Sequence, residues 1–320
     1  MNAPILEARD LRVYYHTKRG AVKAVDGVSF ALGEGETMGI VGETGCGKST
    51  LGKAILGLLP PRTDTSGSLR LRGRELLGIP ASEYRRLRGE ELALIFQDPM
   101  TRLNPLMTIR GHFVETIRVH DRKVSKREAT ERAAKALRSM GIPGSRLDHY
   151  PHEFSGGMRQ RIMIAMALVL RPKLLIADEP TTALDVIVEA QILEILRDLR
   201  RAYSMSIILI THNLGVIAEV CHRVAVMYAG RIIELGSVDG VFRQPIHPYT
   251  QGLLASTISL KTKELKSIDG LPPSLLDPPS GCRFHPRCPF AKDVCSQEEP
   301  AMVEFRPGHL AACHFGSDFL

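Results

Sequence analysis

A lysine and two hydroxyl residues, Lys48, Ser49 and Thr50, close a glycine-rich stretch, Gly42-Glu43-Thr44-Gly45-Cys46-Gly47. Glycines let backbone N–H groups close around phosphate oxygens, which side chains would otherwise block. The spacing is that of the phosphate-binding pattern G-x-x-x-x-G-K-[ST]. In that chemistry Lys48 reaches the β- and γ-phosphates of a nucleotide and the Ser49 hydroxyl ligates Mg²⁺. Two adjacent carboxylates, Asp178 and Glu179, end the apolar run Leu174 to Ala177. Asp178 is expected to hold Mg²⁺ through water, and Glu179 to lie beside the γ-phosphate as a general base. A polar switch, Thr211-His212, ends a second apolar run, Ile207 to Ile210. Ser155-Gly156-Gly157 opens a helical segment and offers either a second phosphate site or ordinary N-capping. Tyr14 and Tyr15, upstream of the glycine loop, are candidates to stack on a nucleobase or to pack within a strand.

The elements that must position these residues are legible around them. Met38 to Val41 reads as a buried strand running into the glycine loop, and Leu51 to Leu59 as the helix that follows. Residues 5–33 carry three strand signals, Ile5 to Arg9, Leu11 to Tyr15 and Val28 to Leu32, and Gly67 to Arg74 reads as a small hairpin. Leu92 to Phe96 is a buried strand that meets Gln97 and then the turn Asp98-Pro99. Residues 106–150 turn helical and charged, with Glu128 to Met140 the clearest amphipathic stretch, and read as a helical insertion between strands of one sheet. Helices are expected over Met158 to Leu170 and Val186 to Tyr203, and a hairpin over 223–235 turning at Ala229-Gly230. Strands alternating with helices define an α/β core whose ligands bind at the carboxyl edge of the sheet. Beyond Gly236 the prolines multiply, which places a boundary near 240 and a loop-rich tail after it.

Composition limits the alternatives. A chain of 320 residues suggests two domains, and 44% hydrophobic with 24% charged residues is ordinary for a globular protein. The longest apolar run, Ile162 to Leu170, stops at Arg171-Pro172-Lys173, well short of the roughly 20 residues that span a bilayer. The start, MNAPILEARD, has no basic segment followed by an apolar one, so a cytoplasmic chain is expected. The net charge of +7 is scattered apart from small clusters at 85–88 and 122–132, and no nucleic-acid partner is expected.

Four of the six cysteines, Cys282, Cys288, Cys295 and Cys313, crowd the tail. Without an export signal such a group argues for metal rather than disulfides. The spacing C-x5-C-x6-C-x17-C differs from the paired C-x2-C of common zinc ribbons. Four thiolates suit Zn²⁺ or an iron–sulfur cluster, and the wide intervals suit a cluster whose ligands bind separate iron corners. His285, His309 and His314 offer substitutes for a thiolate if the ion is zinc. Cys46, beside Lys48, is a candidate reactive thiol.

Taken in order, the loop at 42–49, Gln97, FSGGMRQR at 154–161, LLIADEP at 174–180, TALD at 182–185 and His212 resemble the ATP-binding subunit of an ABC transporter over about residues 5–240. The resemblance implies an ABC-type α/β nucleotide-binding domain over 1–240: a P-loop sheet core, an antiparallel β subdomain and a helical insertion at about 100–165. A small metal-binding extension would occupy 241–320. It implies that Tyr15 stacks on adenine and that residues 42–50, Gln97, Asp178 and Asp185 serve the nucleotide, with Ser49, Gln97 and Asp178 on Mg²⁺. Glu179, His212 and Gln97 are the implied catalytic group. Ser155, Gly156 and Gly157 would contact the γ-phosphate of ATP held by the opposite subunit. Phe154 departs from the leucine that usually opens this signature, but is also bulky and apolar.

FQDPMTRLNP at 96–105, HPYTQGLL at 247–254, GCRFHPRCPFA at 281–291 and Ala312-Cys313-His314 resemble the dipeptide and oligopeptide import branch. That narrower resemblance favours a [4Fe–4S] cluster over Zn²⁺. It implies two permease subunits, a second ABC ATPase of a different but homologous chain, an external binding protein reached through the complex, and a peripheral place on the cytoplasmic face of the membrane. Residues 97–120 would receive a cytoplasmic helix of the permease. Nickel chelates or oligosaccharides are the alternative cargo, and a role on nucleic acid or ribosomes is the non-transport alternative.

Overall fold

The structure is a computed structural model that describes residues 3–95, 103–181, 186–256 and 267–320. Its contacts divide the chain into two units. One joins residues 1–78 to 209–320, and the other comprises 79–208.

The first unit begins with two long strands, β1 (Leu6–Thr17) and β2 (Gly20–Leu32), paired antiparallel. The signals at 5–9 and 11–15 belong to one strand rather than two. Asp10 takes a left-handed φ of 47° and the register shifts there, so a bulge carries β1 through its polar middle. Leu6, Ala8, Leu11 and Val13 are buried. The short buried strand β3 (Thr37–Val41) runs into the glycine loop, and α1 (Lys48–Ile55) follows it. Strands β4 (Thr63–Leu71) and β5 (Arg74–Glu75) complete a four-stranded antiparallel sheet in the order β2-β1-β4-β5.

The second unit opens with α2 (Ala81–Glu90) and β6 (Leu92–Ile95). Two capped helices follow: α3 (Ile109–His120), where Thr108 accepts from Gly111 N, and α4 (Lys126–Ser139), where Ser125 accepts from Glu128 N. Ala129, Ala133 and Leu137 form the buried face of α4, while Glu128–Arg132 and Arg127–Glu131 pair at i,i+4 outside. Next come α5 (Gly156–Leu168), β7 (Leu174–Asp178) and α6 (Val186–Tyr203). β7 runs parallel to β6. Strand β8 (Ser206–Ile210) straddles the division of the chain.

The chain then returns to the first unit through α7 (Leu214–Val220), β9 (Arg223–Tyr228) and β10 (Arg231–Ser237). β9 lies parallel to β3, so an early strand waits for a late one. Helices α8 (Val238–Arg243) and α9 (Pro248–Ala255), the short α10 (Asp293–Gln297), and strands β11 (Val303–Arg306) and β12 (His309–Ala311) make up the remainder. The tail is more than loop: β12 pairs antiparallel with β10, and β11 with β12.

Glu234 of β10 pins this tail. It is fully buried, accepts from the backbone N–H of Ile246 (2.8 Å) and of His247 (2.9 Å), and bonds His309 Nε2 at 2.7 Å. Tyr228, Tyr249 and Phe284 form an aromatic knot with ring centres 4.6–5.5 Å apart. Among the described residues no helix is long and apolar enough to cross a membrane.

Candidate nucleotide site

Within the first unit, the glycine loop connects β3 to α1. Gly47, the N-cap of α1, has φ of 107°, and a Cβ there would stand 2.0 Å from Ala24 O. A Cβ on Gly42 would stand 2.1 Å from Met227 O. Both positions therefore exclude any side chain, which explains two of the three glycines in the motif. No side chain caps α1, and no acidic residue lies in its first turn, so its N–H groups face the loop with their partial positive charge intact. Lys48 is buried and curls back over the loop, donating to Gly42 O at 2.7 Å and Glu43 O at 3.0 Å. Ser49 and Thr50 occupy the first turn of α1.

The two upstream tyrosines separate cleanly. Tyr15 donates its hydroxyl to Thr50 Oγ1 at 3.2 Å, which sets the ring beside the start of α1. Tyr14 instead donates to the buried Asp26 at 2.5 Å. His212 is exposed just past the end of β8, where Thr211 N donates to Ile40 O at 3.2 Å. It therefore lies at the same carboxyl edge from which β3 enters the loop. Asn213 next to it caps α7 by accepting from Gly215 and Val216.

Cys46 is not the activated thiol that its neighbour suggests. It is buried, and burial pushes its thiol up despite Lys48 Nζ at 3.8 Å. Desolvation of the thiolate outweighs the ammonium charge.

Within the second unit, β7 is buried through Ala177 and delivers Asp178 and Glu179 at its end, both half-buried. Glu179 has a left-handed φ of 48°, strain of the kind that accumulates at functional turns. Gln160, almost fully buried in α5, donates to Pro180 O at 2.6 Å and so ties the signature helix to the turn after Glu179. The sequence motif contains Gln160, but its pattern gave no reason to single it out. Ser155 caps α5 through Met158 N at 3.4 Å and is exposed, and no atom lies within 4 Å of a Cβ built on Gly156. Phe154 is buried under Arg146, whose guanidinium lies 5.0 Å from the ring centre, so an aromatic residue is accommodated there. Gln97 and Asp185, and with them most of FQDPMTRLNP and all of TALD, lie outside the described residues.

In the tail, all four cysteines are unpaired thiols, and all four line one small cavity together with Phe284, Phe290, Phe315 and Phe319. Burial pushes the Cys282 and Cys288 thiols up and that of Cys313 to about 11, and the other three cysteines add to the effect at Cys313. Among the described residues no group of three or more His, Cys, Asp or Glu side chains is arranged to hold a metal ion. The histidines named as substitutes are engaged elsewhere: His285 with Cys282 O, His314 with Glu298 O, and His309 with Glu234.

Two residues that the sequence did not mark reach the glycine loop from the tail. Tyr249 accepts from Glu43 N at 2.9 Å, and Arg287 forks onto the Glu43 carboxylate at 2.7 and 3.0 Å. A third, Arg283, is buried against Asp26 of β2 and donates to Ala229 O.

This arrangement agrees with comparisons to known proteins. Residues 25–182 match the ABC transporter family, and residues 233–295 match the oligopeptide/dipeptide transporter C-terminal region. The chain is 50% identical over 313 residues to the oligopeptide transport ATP-binding protein OppD of Salmonella typhimurium, covering 97% of this chain and 93% of that one. It is 48% identical over 315 residues to the dipeptide transport ATP-binding protein DppD of Bacillus subtilis, covering 97% and 94%. Among solved structures, the ATP-binding cassette MJ0796, a dimer in a post-hydrolysis state bound to ADP and Pi, superposes with a TM-score of 0.66 at 25% identity, over 73% of this chain and 98% of that one. A phosphate loop folded as described, the family match across the cassette and near full-length similarity at about half identity lead to one conclusion: the chain belongs to the ABC transporter family of ATP-binding proteins, in the branch that carries the oligopeptide/dipeptide transporter C-terminal region.

Proposed function

We propose that this chain is the ATP-hydrolysing subunit of an importer for oligopeptides or dipeptides. The carrying observation is the loop itself: buried Lys48 folded over Gly42 and Glu43 at the uncapped start of α1, with Tyr15 on Thr50. In this reading the loop N–H groups and Lys48 bind the β- and γ-phosphates, and Tyr15 stacks on adenine. Ser49, Gln97 and Asp178 would hold Mg²⁺, which neutralises phosphate charge when bound. Glu179 accepts the proton of the attacking water, His212 and Gln97 orient the γ-phosphate end, and Asp185 would serve the nucleotide. Exposed Ser155, with Gly156 and Gly157, meets the γ-phosphate of a second, homologous ATPase subunit, so two cassettes close on ATP. The dimeric state of the cassette relative supports that reading. Two permease subunits and an external binding protein complete the assembly, which places this chain on the cytoplasmic face of the membrane. Peptide cargo is favoured over nickel chelates, oligosaccharides or a nucleic-acid role by the match of residues 233–295.

The tail cysteines fit a cluster better than a single ion. Four thiols around one phenylalanine-lined cavity offer soft ligands at separate points, as the separate iron corners of a cluster require. In this reading Cys282, Cys288, Cys295 and Cys313 would hold a [4Fe–4S] cluster whose contribution is structural. Protein purified without oxygen is then brown and contains about four iron atoms per chain. Colourless, iron-free protein with intact tail folding refutes it.

The test of the catalytic reading is Glu179→Gln in the assembled transporter. ATP binding persists, while turnover falls about 100-fold or more, the range of a lost general base. Turnover within twofold of the unmodified complex would remove Glu179 from that role.

A further inference from the structure

An acidic side chain inside a phosphate-binding loop is electrostatically costly. Glu43 is the second residue of the loop, so it carries a negative charge on the segment that must receive a polyphosphate. The structure shows how the charge is compensated. Arg287 approaches with its guanidinium edge-on, Nη1 to Oε2 and Nη2 to Oε1, in the bidentate geometry that a planar fork makes with a carboxylate. Its side chain is 5% exposed and Glu43 is 25% exposed, so solvent screens the pair only in part.

The remaining donors of Arg287 are also engaged. Nε donates to Asp269 O at 2.9 Å, Nη2 to Ile268 O and Nη1 to the Tyr228 hydroxyl, each at 3.3 Å. The guanidinium is thus fixed in one orientation, and Tyr249 holds the backbone of the same loop residue. Arg287 directly precedes Cys288, and Phe284, between Cys282 and Cys288, packs on both Tyr228 and Tyr249. The loop's charge balance therefore depends on the tail that carries the cysteines, although the partners lie 244 residues apart in the chain.

We propose that Arg287 is a positioning residue of the nucleotide site, neutralising Glu43 and holding the phosphate loop, so that the cysteine-bearing tail sets nucleotide affinity. This rests on the reading of the glycine loop as the ATP site. With Arg287 absent, an uncompensated negative charge remains on the phosphate loop. One unit of unfavourable charge at about 10 Å, at the effective dielectric of a protein surface, weakens binding about tenfold.

The experiment measures the dissociation constant for ATP on the full chain, by competition with a fluorescent ATP analogue. Arg287→Ala raises it about tenfold. Glu43→Gln lowers it by a similar factor, because the Arg287 charge beside the loop is then uncompensated. The double variant Arg287→Ala/Glu43→Gln returns to within about threefold of the unmodified value. Rescue of that kind follows from charge compensation and not from a collapsed tail, since removing Glu43's charge cannot refold the tail. Unchanged affinity in Arg287→Ala, or a loss that Glu43→Gln fails to rescue, overturns the proposal. Lys48→Ala serves as the reference: if it too binds ATP as the unmodified protein does, the loop is not the ATP site, and the failure lies in that reading rather than in the role of Arg287.

Discussion

Glu234 offers the sharpest test of what holds the tail to the first unit. Glu234→Gln keeps the size and shape of the side chain, so packing is constant and only hydrogen bonding changes. Oε1 accepts from Ile246 N and bonds His309 Nε2, while Oε2 accepts from His247 N. The carboxamide has one oxygen. In its better orientation the oxygen serves Ile246 and His309, and the NH₂ group confronts the N–H of His247. That leaves one buried donor without a partner, at about 1–3 kcal/mol, and removes the charge from the two bonds that remain, at about 0.5–1 kcal/mol each. The sum is about 2–5 kcal/mol. Amide hydrogen exchange at Ile246 and His247 reads this locally, without assuming that a protein of two units unfolds in one step. At about 1.4 kcal/mol per factor of ten, exchange should accelerate at least about 30-fold. Rates within threefold of the unmodified protein would show that Glu234 does not anchor this segment.

Three further outcomes follow from the geometry. Burial pushes the His247 imidazole from 6.5 down to about 4, although Glu234 pulls the other way, and Tyr249 N donates to its Nδ1. The folded pKa is the lower one, so stability is complete above about 6.5 and is lost as pH falls toward about 4. The loss is about 1.4 kcal/mol per pH unit, and His247→Gln should flatten the pH dependence of thermal unfolding by that slope. Gly47→Ala combines a left-handed φ with a clash at Ala24 O, so it should abolish ATP-dependent thermal stabilisation; retained stabilisation contradicts the loop geometry. Cys46, buried with its thiol pushed up, should be modified by a thiol reagent about 100-fold more slowly in the folded protein than in denaturant, as mass mapping would show.

The parts legible in the sequence are those whose physics is local. The glycine loop announces itself because only glycine tolerates the approach of Ala24 O and Met227 O. Helix α6 falls on the range its periodicity indicates, and α5 begins two residues before the expected Met158 because Ser155 caps it. The two sequence signals at 5–9 and 11–15 form one strand, β1, because a bulge at Asp10 lets a strand continue through polar residues. The compensation of Glu43 by Arg287 and of Asp26 by Arg283 could not be seen, since the partners are 244 and 257 residues apart and no periodicity links them. Tyr14 and Tyr15 were indistinguishable by type and became distinct only through Asp26 and Thr50.

The division of the first unit into 1–78 and 209–320 bears on the order in which the protein takes shape as it is made. The phosphate loop is synthesised early, yet the strand beside β3, the carbonyl packed on Gly42 and the Gly230 N–H bonded to Cys46 O all arrive after the intervening unit. Arg287 comes 244 residues behind Glu43. At about 5–20 residues per second, the loop waits about 12–50 s for its last charge partner. During that interval residues 79–208 have their own contacts to form, while the nucleotide loop remains without its frame. The full frame of the nucleotide loop is therefore complete only late in synthesis, once the tail has emerged.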